Sequence, residues 1–206
     1  METSGKLKLE YQRARTVANI LCKKLKPHCH LLAVAGSVRR KNPVCGDIEI
    51  VCVPKEIPDP SFNGMFGAPE LVRSPGFIST VQGLGTIKTG KIKEGRYLKI
   101  ILGSLGISIE GIQLDLFATN AKDYGRQLAI RTGPASFSAR VIAGGWRRKG
   151  WVGTSEGLRR EEECEKKGKT WIVKFANPTI PPDFPTEEGF FEFLGIDYIE
   201  PERRYL

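Results

Sequence analysis

Apolar residues near the start of the chain recur at helical spacing. Leu9, Ala14, Val17, Ile20, Leu21 and Leu25 fall close to a 3.6-residue period with Lys and Arg between them, which predicts a helix over Leu7 to Leu25 that Pro27 ends. Leu31 to Ala35 reads as a short apolar strand and Gly36-Ser37 as a turn, while Pro43 and Gly46 argue against a helix between Val38 and Cys45. Asp47 to Val53 is a second strand, closed by Pro54, Pro58 and Pro60. Ser61 to Pro75 is rich in Gly, Pro and small residues and predicts a loop with at most a short helix.

Phe77 to Leu84 reads as a helix, and Thr86 to Lys93 with Gly95 to Leu102 as a hairpin turning at Glu94-Gly95. Ile109 to Phe117 alternates as a strand, and Asn120 to Ala129 follows as a helix with Asn120 as its cap. A Gly-Pro break inside Ile130 to Ser138 predicts a sharp reversal and a hinge, after which Phe137 to Ala143 starts a short helix. Gly157 to Phe175 reads as one hairpin turning at Lys167 to Lys169. A proline-rich loop, Pro178 to Pro185, then leads to a helix over Thr186 to Leu194 with Glu187 and Glu188 in its first turn, and to an irregular tail. There is no internal repeat, and a subdomain boundary falls near Asn120 to Thr132.

Three acids stand out against this pattern. Side chains alternate across a strand, so Asp47 and Glu49 share one face while Ile48, Ile50 and Val51 supply the apolar remainder. Asp115 lies in the middle of its strand, sharing a face with Gln113 and Phe117 opposite Ile112, Leu114 and Leu116. Carboxylates crowded on an apolar sheet are costly unless a cation neutralises them, so a divalent metal is the natural third party, and Asp115 joins the pair most economically across a sheet. Three such carboxylates can hold two magnesium or manganese ions for phosphate chemistry. Gly36 lets a backbone approach a phosphate, Ser37 offers a hydroxyl, and Arg40 offers a planar fork for phosphate oxygens. No G-x-x-x-x-G-K-[ST] loop is present. Two other readings stay open here: solvent-facing acids on an edge strand, and Asp115 as the buried ion-pair partner of Arg39.

Charge narrows the partner. The 32 Lys and Arg residues outnumber 23 Asp and Glu, giving +9, and the excess is spread along the chain, which favours nucleic acid over membrane. Gly145 to Trp151 interleaves bases and aromatics, and its Arg147, Arg148 and Lys149, with Arg140 before them, are the candidate DNA contacts; the alternative is that Trp146 and Trp151 are core and the bases of the run a solvated turn. Without a long apolar run or a secretory pattern, an intracellular protein is expected, with cytoplasm, nucleus and virus-associated compartments not distinguished. Cys22, Cys29, Cys45, Cys52 and Cys164 include no C-x-x-C pair, which argues against a disulfide framework or a structural zinc; the tightest grouping is Cys22 with His28, Cys29 and His30.

Gly36-Ser37-Val38-Arg39-Arg40, then Gly46-Asp47-Ile48-Glu49, with Asp115 on a later strand, resembles the palm of the family X DNA polymerases, the polymerase beta group of the nucleotidyltransferase superfamily. Thr132-Gly133 falls where that family has an aromatic-aromatic-Thr-Gly motif, and the terminal GFFEFLGIDYIEPERR resembles its thumb ending. The resemblance runs from about Leu31 to Arg204, and a minimal palm-plus-thumb polymerase similar to small viral members is the nearest overall pattern. It implies an α+β fold: an N-terminal helix over 1–30 packing on the palm, a catalytic palm of mixed β-sheet and flanking helices over 31–125, and a small α/β thumb over 126–206.

The resemblance also implies roles. Asp47, Glu49 and Asp115 would be ligands of two magnesium or manganese ions, with Asp115 nearest the primer 3′ hydroxyl as its base. Gly36, Ser37 and Arg40 would hold the incoming triphosphate, Thr132 and Gly133 would lie near the nucleotide sugar, and Ser138 takes the place of a family Asn that touches the base. Glu49 stands where the family has a second Asp, and Ile130 and Arg131 replace the two aromatics, leaving Arg131 to reach a phosphate or a base. The chain begins one helix before the palm, so no lyase domain or helix-hairpin-helix fingers are expected. The implied activity is a small, monomeric DNA polymerase using a primer-template and deoxynucleoside triphosphates in short repair-type synthesis. A template-independent transferase, a nucleotidyltransferase acting on RNA or a small molecule, and a non-catalytic nucleic-acid-binding module are the alternatives.

Overall fold

The computed structural model describes residues 7–61, 68–106 and 111–205, and the chain divides into two compact units, Met1–Asn120 and Ala121–Leu206. No helix among the described residues is long and apolar enough to cross a membrane. In chain order the first unit contains β1 (Leu9–Glu10), α1 (Tyr11–Leu25), β2 (Cys29–Val34), α2 (Gly36–Arg39), β3 (Val44–Cys45), β4 (Ile48–Pro54), β5 (Glu56–Pro58) and β6 (Leu71–Arg73). It continues with α3 (Pro75–Gln82), β7 (Gly85–Thr89), β8 (Tyr97–Leu102) and β9 (Gln113–Ala118).

The mixed sheet runs β2-β4-β9-β8-β7, parallel only between β4 and β9. Its alternating apolar face carries Ile48, Ile50, Leu98, Ile100, Leu114 and Leu116, all buried. The helical stripe Ala14, Val17, Ala18, Leu21 and Leu25 joins them in one core. Each such fully buried Val, Leu or Ile side chain contributes about 1.5–3 kcal/mol relative to exposure. Lys23 and Lys24 in the last turn of α1 complement its C-terminal dipole.

Several expectations shift. Helix α1 starts later than the period predicts because Leu9 and Glu10 pair as a strand with Cys45 and Val44. The Gly36-Ser37 turn is the opening of α2, a single helical turn over positions where no helix was expected from Val38 onward. Leu71–Arg73, expected as loop, pairs with Glu56–Pro58, and residues 62–67 of that expected loop lie outside the described residues, as do Ile109 and Glu110 of the expected strand. Ser74 accepts from Phe77 N at 3.3 Å and Pro75 follows it, so α3 starts two residues before the predicted helix. The expected tight turn at Glu94-Gly95 is a wider loop, because the buried Arg73 donates from Nη1 to Ile92 O and from Nη2 to Gly95 O, each at 2.6 Å.

The second unit contains α4 (Tyr124–Thr132), α5 (Ala135–Phe137), a π-helical segment Ser138–Ala143, α6 (Gly144–Arg148), β10 (Trp151–Thr154), β11 (Gly157–Arg160), β12 (Cys164–Lys167), β13 (Thr170–Val173) and α7 (Glu187–Leu194). The short helix expected at Phe137 to Ala143 is the middle of a longer helical stretch, so Trp146, Arg147 and Arg148 lie on a helix. The hairpin expected over Gly157 to Phe175 does turn at Lys167 to Lys169, where β12 pairs with β13, but it is shorter because β11 folds back on β10 instead; a parallel contact at Thr154 and Trp171 joins the two pairs. Two-residue alternation is the same for one long hairpin or two short ones, so it could not choose.

Phe137, Ile142, Trp151, Leu158, Phe184, Phe190, Phe191 and Leu194 form the second core. Thr186 caps α7 by accepting from Gly189 N at 3.2 Å. Buried Arg204 meets buried Glu187 at 2.6 Å, donates from Nε to Ile199 O at 2.8 Å, and lies over the rings of Phe191 and Tyr198. That ion pair fixes the irregular tail against α7.

Candidate active site

Glu49 and Asp115 come side by side where β4 and β9 run in parallel. Their register pairs Ile48 with Leu114, Glu49 with Asp115 and Ile50 with Leu116. The isoleucines and leucines face the core, so pleating turns both carboxylates to the opposite, half-buried face. Asp47 lies one alternate position before Glu49, just ahead of the strand. From β8, Lys99 is the register partner of Asp115 and Tyr97 that of Phe117.

Asp115 is held from its own sheet. The Tyr97 hydroxyl donates to Oδ1 at 2.9 Å, and Gln113 Nε2 donates to Oδ1 at 2.8 Å and Oδ2 at 2.9 Å. The Tyr97 ring stacks on Phe117 with centroids 5.2 Å apart, which fixes its hydroxyl. Gln113 shares the acid face by alternation and was readable as such. Tyr97 and Lys99 reach it only through the register of β8 on β9, which no local pattern carries.

The turn after β2 supplies the other wall. Ala35 N donates to Glu49 O at 2.8 Å, bringing α2 against β4. Gly36 has φ +60°, and a Cβ there would overlap Glu49 Oε2, so both backbone conformation and clearance require glycine. Ser37 Oγ is buried and finds no hydrogen-bond partner among the described residues. Burial pulls the Arg40 guanidinium below its ordinary pKa, and the carboxylates of Glu49 and Asp47 oppose that shift. Arg40 therefore sits within electrostatic reach of two of the three acids.

Among the described residues no three His, Cys, Asp or Glu side chains come together as a group that could hold a metal ion. The carboxylates expected to form one are engaged differently: Glu49 lies against Gly36, while Gln113 and Tyr97 hold Asp115. The donor chemistry nevertheless fits a hard divalent cation, since it is all carboxylate oxygen. The Cys22, His28, Cys29 and His30 grouping forms no such site either. All five cysteines are free, and Cys29 shares a hydrogen bond with Cys52.

In the second unit the expected nucleotide contacts Thr132, Gly133 and Ser138 also meet neighbours of their own unit. Thr132 is buried at the end of α4, and a Cβ on Gly133 would come within 2.5 Å of Phe137 Cδ1, so this glycine admits the ring. Ser138 Oγ donates to Ile130 O at 2.8 Å, closing the reversal that was expected to be a hinge. Arg131 is half-buried, whereas Arg140, Arg147, Arg148 and Lys149 are exposed. Trp151 belongs to the core with the Arg160 guanidinium 4.3 Å above its ring. Trp146 is only half-buried. The positive excess is also less even than expected: the first unit holds 17 Lys and Arg against 10 Asp and Glu, the second 15 against 13.

No protein-family model matches the chain, and no curated protein does. Among solved structures it is similar to a Leishmania infantum polymerase beta, determined as a ternary P/T complex. The two share 17% identity at a TM-score of 0.64, over 97% of this chain and 77% of that one. The chain therefore has a polymerase beta-like α+β fold.

Proposed function

We propose that this protein is a small family X-type DNA polymerase, which adds deoxynucleotides to a primer 3′ hydroxyl in short repair-type synthesis. The observation that carries the reading is the register pairing of Glu49 with Asp115 on parallel strands, beside a Gly36-Ser37 turn whose hydroxyl lacks a partner among the described residues. Asp47, Glu49 and Asp115 would hold magnesium or manganese. When bound, such ions acidify an attacking hydroxyl and stabilise charge on transferring phosphate.

The chain's own residues divide the remaining work. Gln113 and Tyr97 orient the Asp115 carboxylate, leaving it to accept the proton of the primer hydroxyl. Ser37 Oγ donates to a phosphate oxygen, which would satisfy a buried hydroxyl, and Arg40 balances the triphosphate charge. Lys99, beside Asp115 in the sheet, adds a cation at the same face. The +7 balance of the first unit attracts the nucleic-acid backbone.

Primer extension with each deoxynucleotide supplied singly tests this reading. Incorporation set by the template base supports it; indiscriminate tailing assigns the same site to a template-independent transferase. Calorimetric nucleotide binding that magnesium does not change, together with no extension, would make the protein a non-catalytic nucleic-acid-binding module.

A further inference from the structure

We propose that the second unit carries a stacking subsite for one unpaired nucleobase, a cleft of about 300 Å³ bordered by Trp146, Trp171 and Arg147. The inference rests on the nucleic-acid reading above, but the site is built from residues with no role in the proposed chemistry.

The helical stretch and the sheet contribute to the cleft jointly. Ala139 and Ala143 come from the π-helical segment, Trp146 and Arg147 from α6, Gly153 from β10 and Trp171 from β13. Parallel pairing of Thr154 with Trp171 puts the second indole beside the strand that carries Gly153. Gly153 is exposed, and a Cβ there would meet Trp146 Cζ2 at 3.4 Å. Absence of a side chain at this position leaves the cleft open along the indole edge. Interruption of an α-helix by a π-helical turn frequently marks a functional site, and here two residues of that turn line the cleft.

Indoles are large apolar surfaces that a soluble protein ordinarily covers. Trp146 is anchored on one side by Phe190, at 6.4 Å between centroids, yet stays half-buried, as does Trp171. Ala139, Ala143, Gly144, Val152 and Gly153 complete the lining beside Arg147. The volume is at the lower end for small-molecule sites, suited to one flat ring and too small for an extended apolar ligand. Arg147 lies 5.9 Å above the Trp171 ring, where a planar cation can stack with an aromatic or reach a phosphate.

Surrounding charge selects the class of ligand. No acidic residue occurs between Ser138 and Thr154 or between Lys166 and Pro182, whereas Arg140, Arg147, Arg148, Lys149, Lys169 and Lys174 all fall there. A flat aromatic group attached to a polyanion matches aromatic walls beside Arg147 on segments rich in bases, and that describes a base of single-stranded nucleic acid.

The test uses the full chain, titrated with a short oligothymidylate and with an abasic oligomer of the same length and phosphate count. Tryptophan emission and anisotropy are read together. Oligothymidylate is expected to quench emission while the abasic oligomer does not. Trp171→Ala should weaken oligothymidylate binding by about tenfold or more and leave abasic binding unchanged, and Trp171→Phe should restore it. Unchanged abasic binding also shows that the variant is folded. Equal oligothymidylate affinity in wild type and Trp171→Ala overturns the inference, as does quenching by a proline-rich peptide in place of the oligonucleotide. Primer extension on the same proteins separates the two readings. Extension without base-selective quenching removes the stacking subsite alone, whereas base-selective quenching without extension removes the polymerase reading alone.

Discussion

Glu49 and Asp115 are register partners on neighbouring parallel strands, and the Glu49 carboxylate lies against the backbone of Gly36. An acid on the strand thus uses the space that the glycine leaves open. Gly36→Ala should destabilise the first unit through both the left-handed φ, worth about 1–2 kcal/mol, and the overlap with Glu49. Glu49→Asp withdraws the carboxylate by one methylene, so the double variant should regain the steric part and keep the backbone part. Chemical denaturation of the four proteins checks this by a coupling energy of about 0.5–3 kcal/mol. Strict additivity would contradict the contact.

Ser37 is a polar atom without a described partner, and its removal should be inexpensive for the fold. Ser37→Ala is expected to leave stability unchanged or raise it by up to about 1 kcal/mol, since a buried unsatisfied hydroxyl is lost. The same change should raise the KM for nucleotide with little effect on kcat. A clear loss of stability would show that the hydroxyl is structural.

Much of the site was legible because its pieces are local. The spacing of Asp47 and Glu49, the alternation that places Gln113 with Asp115, and the Gly36-Ser37 turn each occupy a few residues. Pairing information was not legible. Tyr97 reaches Asp115 through the antiparallel register of β8 on β9, and Leu71–Arg73 became a strand only because Glu56–Pro58 lies beside it. The resemblance alone implies nucleotide contacts at Thr132-Gly133 and Ser138. Burial of Thr132, the ring over Gly133 and the Ser138 bond to Ile130 appear only once the chain is folded.

The Arg204 and Glu187 pair fixes the tail of the second unit. Both side chains are nearly or fully buried, at 0% and 4% exposure, so removing one partner strands a charge in a dry environment. Arg204→Met or Glu187→Gln alone should cost about 3–5 kcal/mol in denaturant unfolding of this unit. A cost well under 1 kcal/mol for both would contradict the burial.

Cys22 makes stability depend on alkaline pH. Burial, helped by the charge of Cys29, pushes its thiol from 9.0 up to about 11. The folded state thus favours the neutral thiol, so this contribution is fully present below about pH 9 and is lost as pH rises through about 11. The unfolding midpoint should fall more steeply across that window in wild type than in Cys22→Ala. Parallel profiles would contradict the shift.

Asp115 carries the account, and its conversion to Asn tests it most directly while keeping the side-chain shape. Primer extension by wild type with magnesium, measured beside Asp115→Asn under matched DNA binding, should show incorporation falling by about a thousandfold or more in the variant. DNA affinity should be unchanged. Extension by Asp115→Asn at the wild-type rate, or no extension by wild type on gapped, recessed or single-stranded primers, would contradict the assignment.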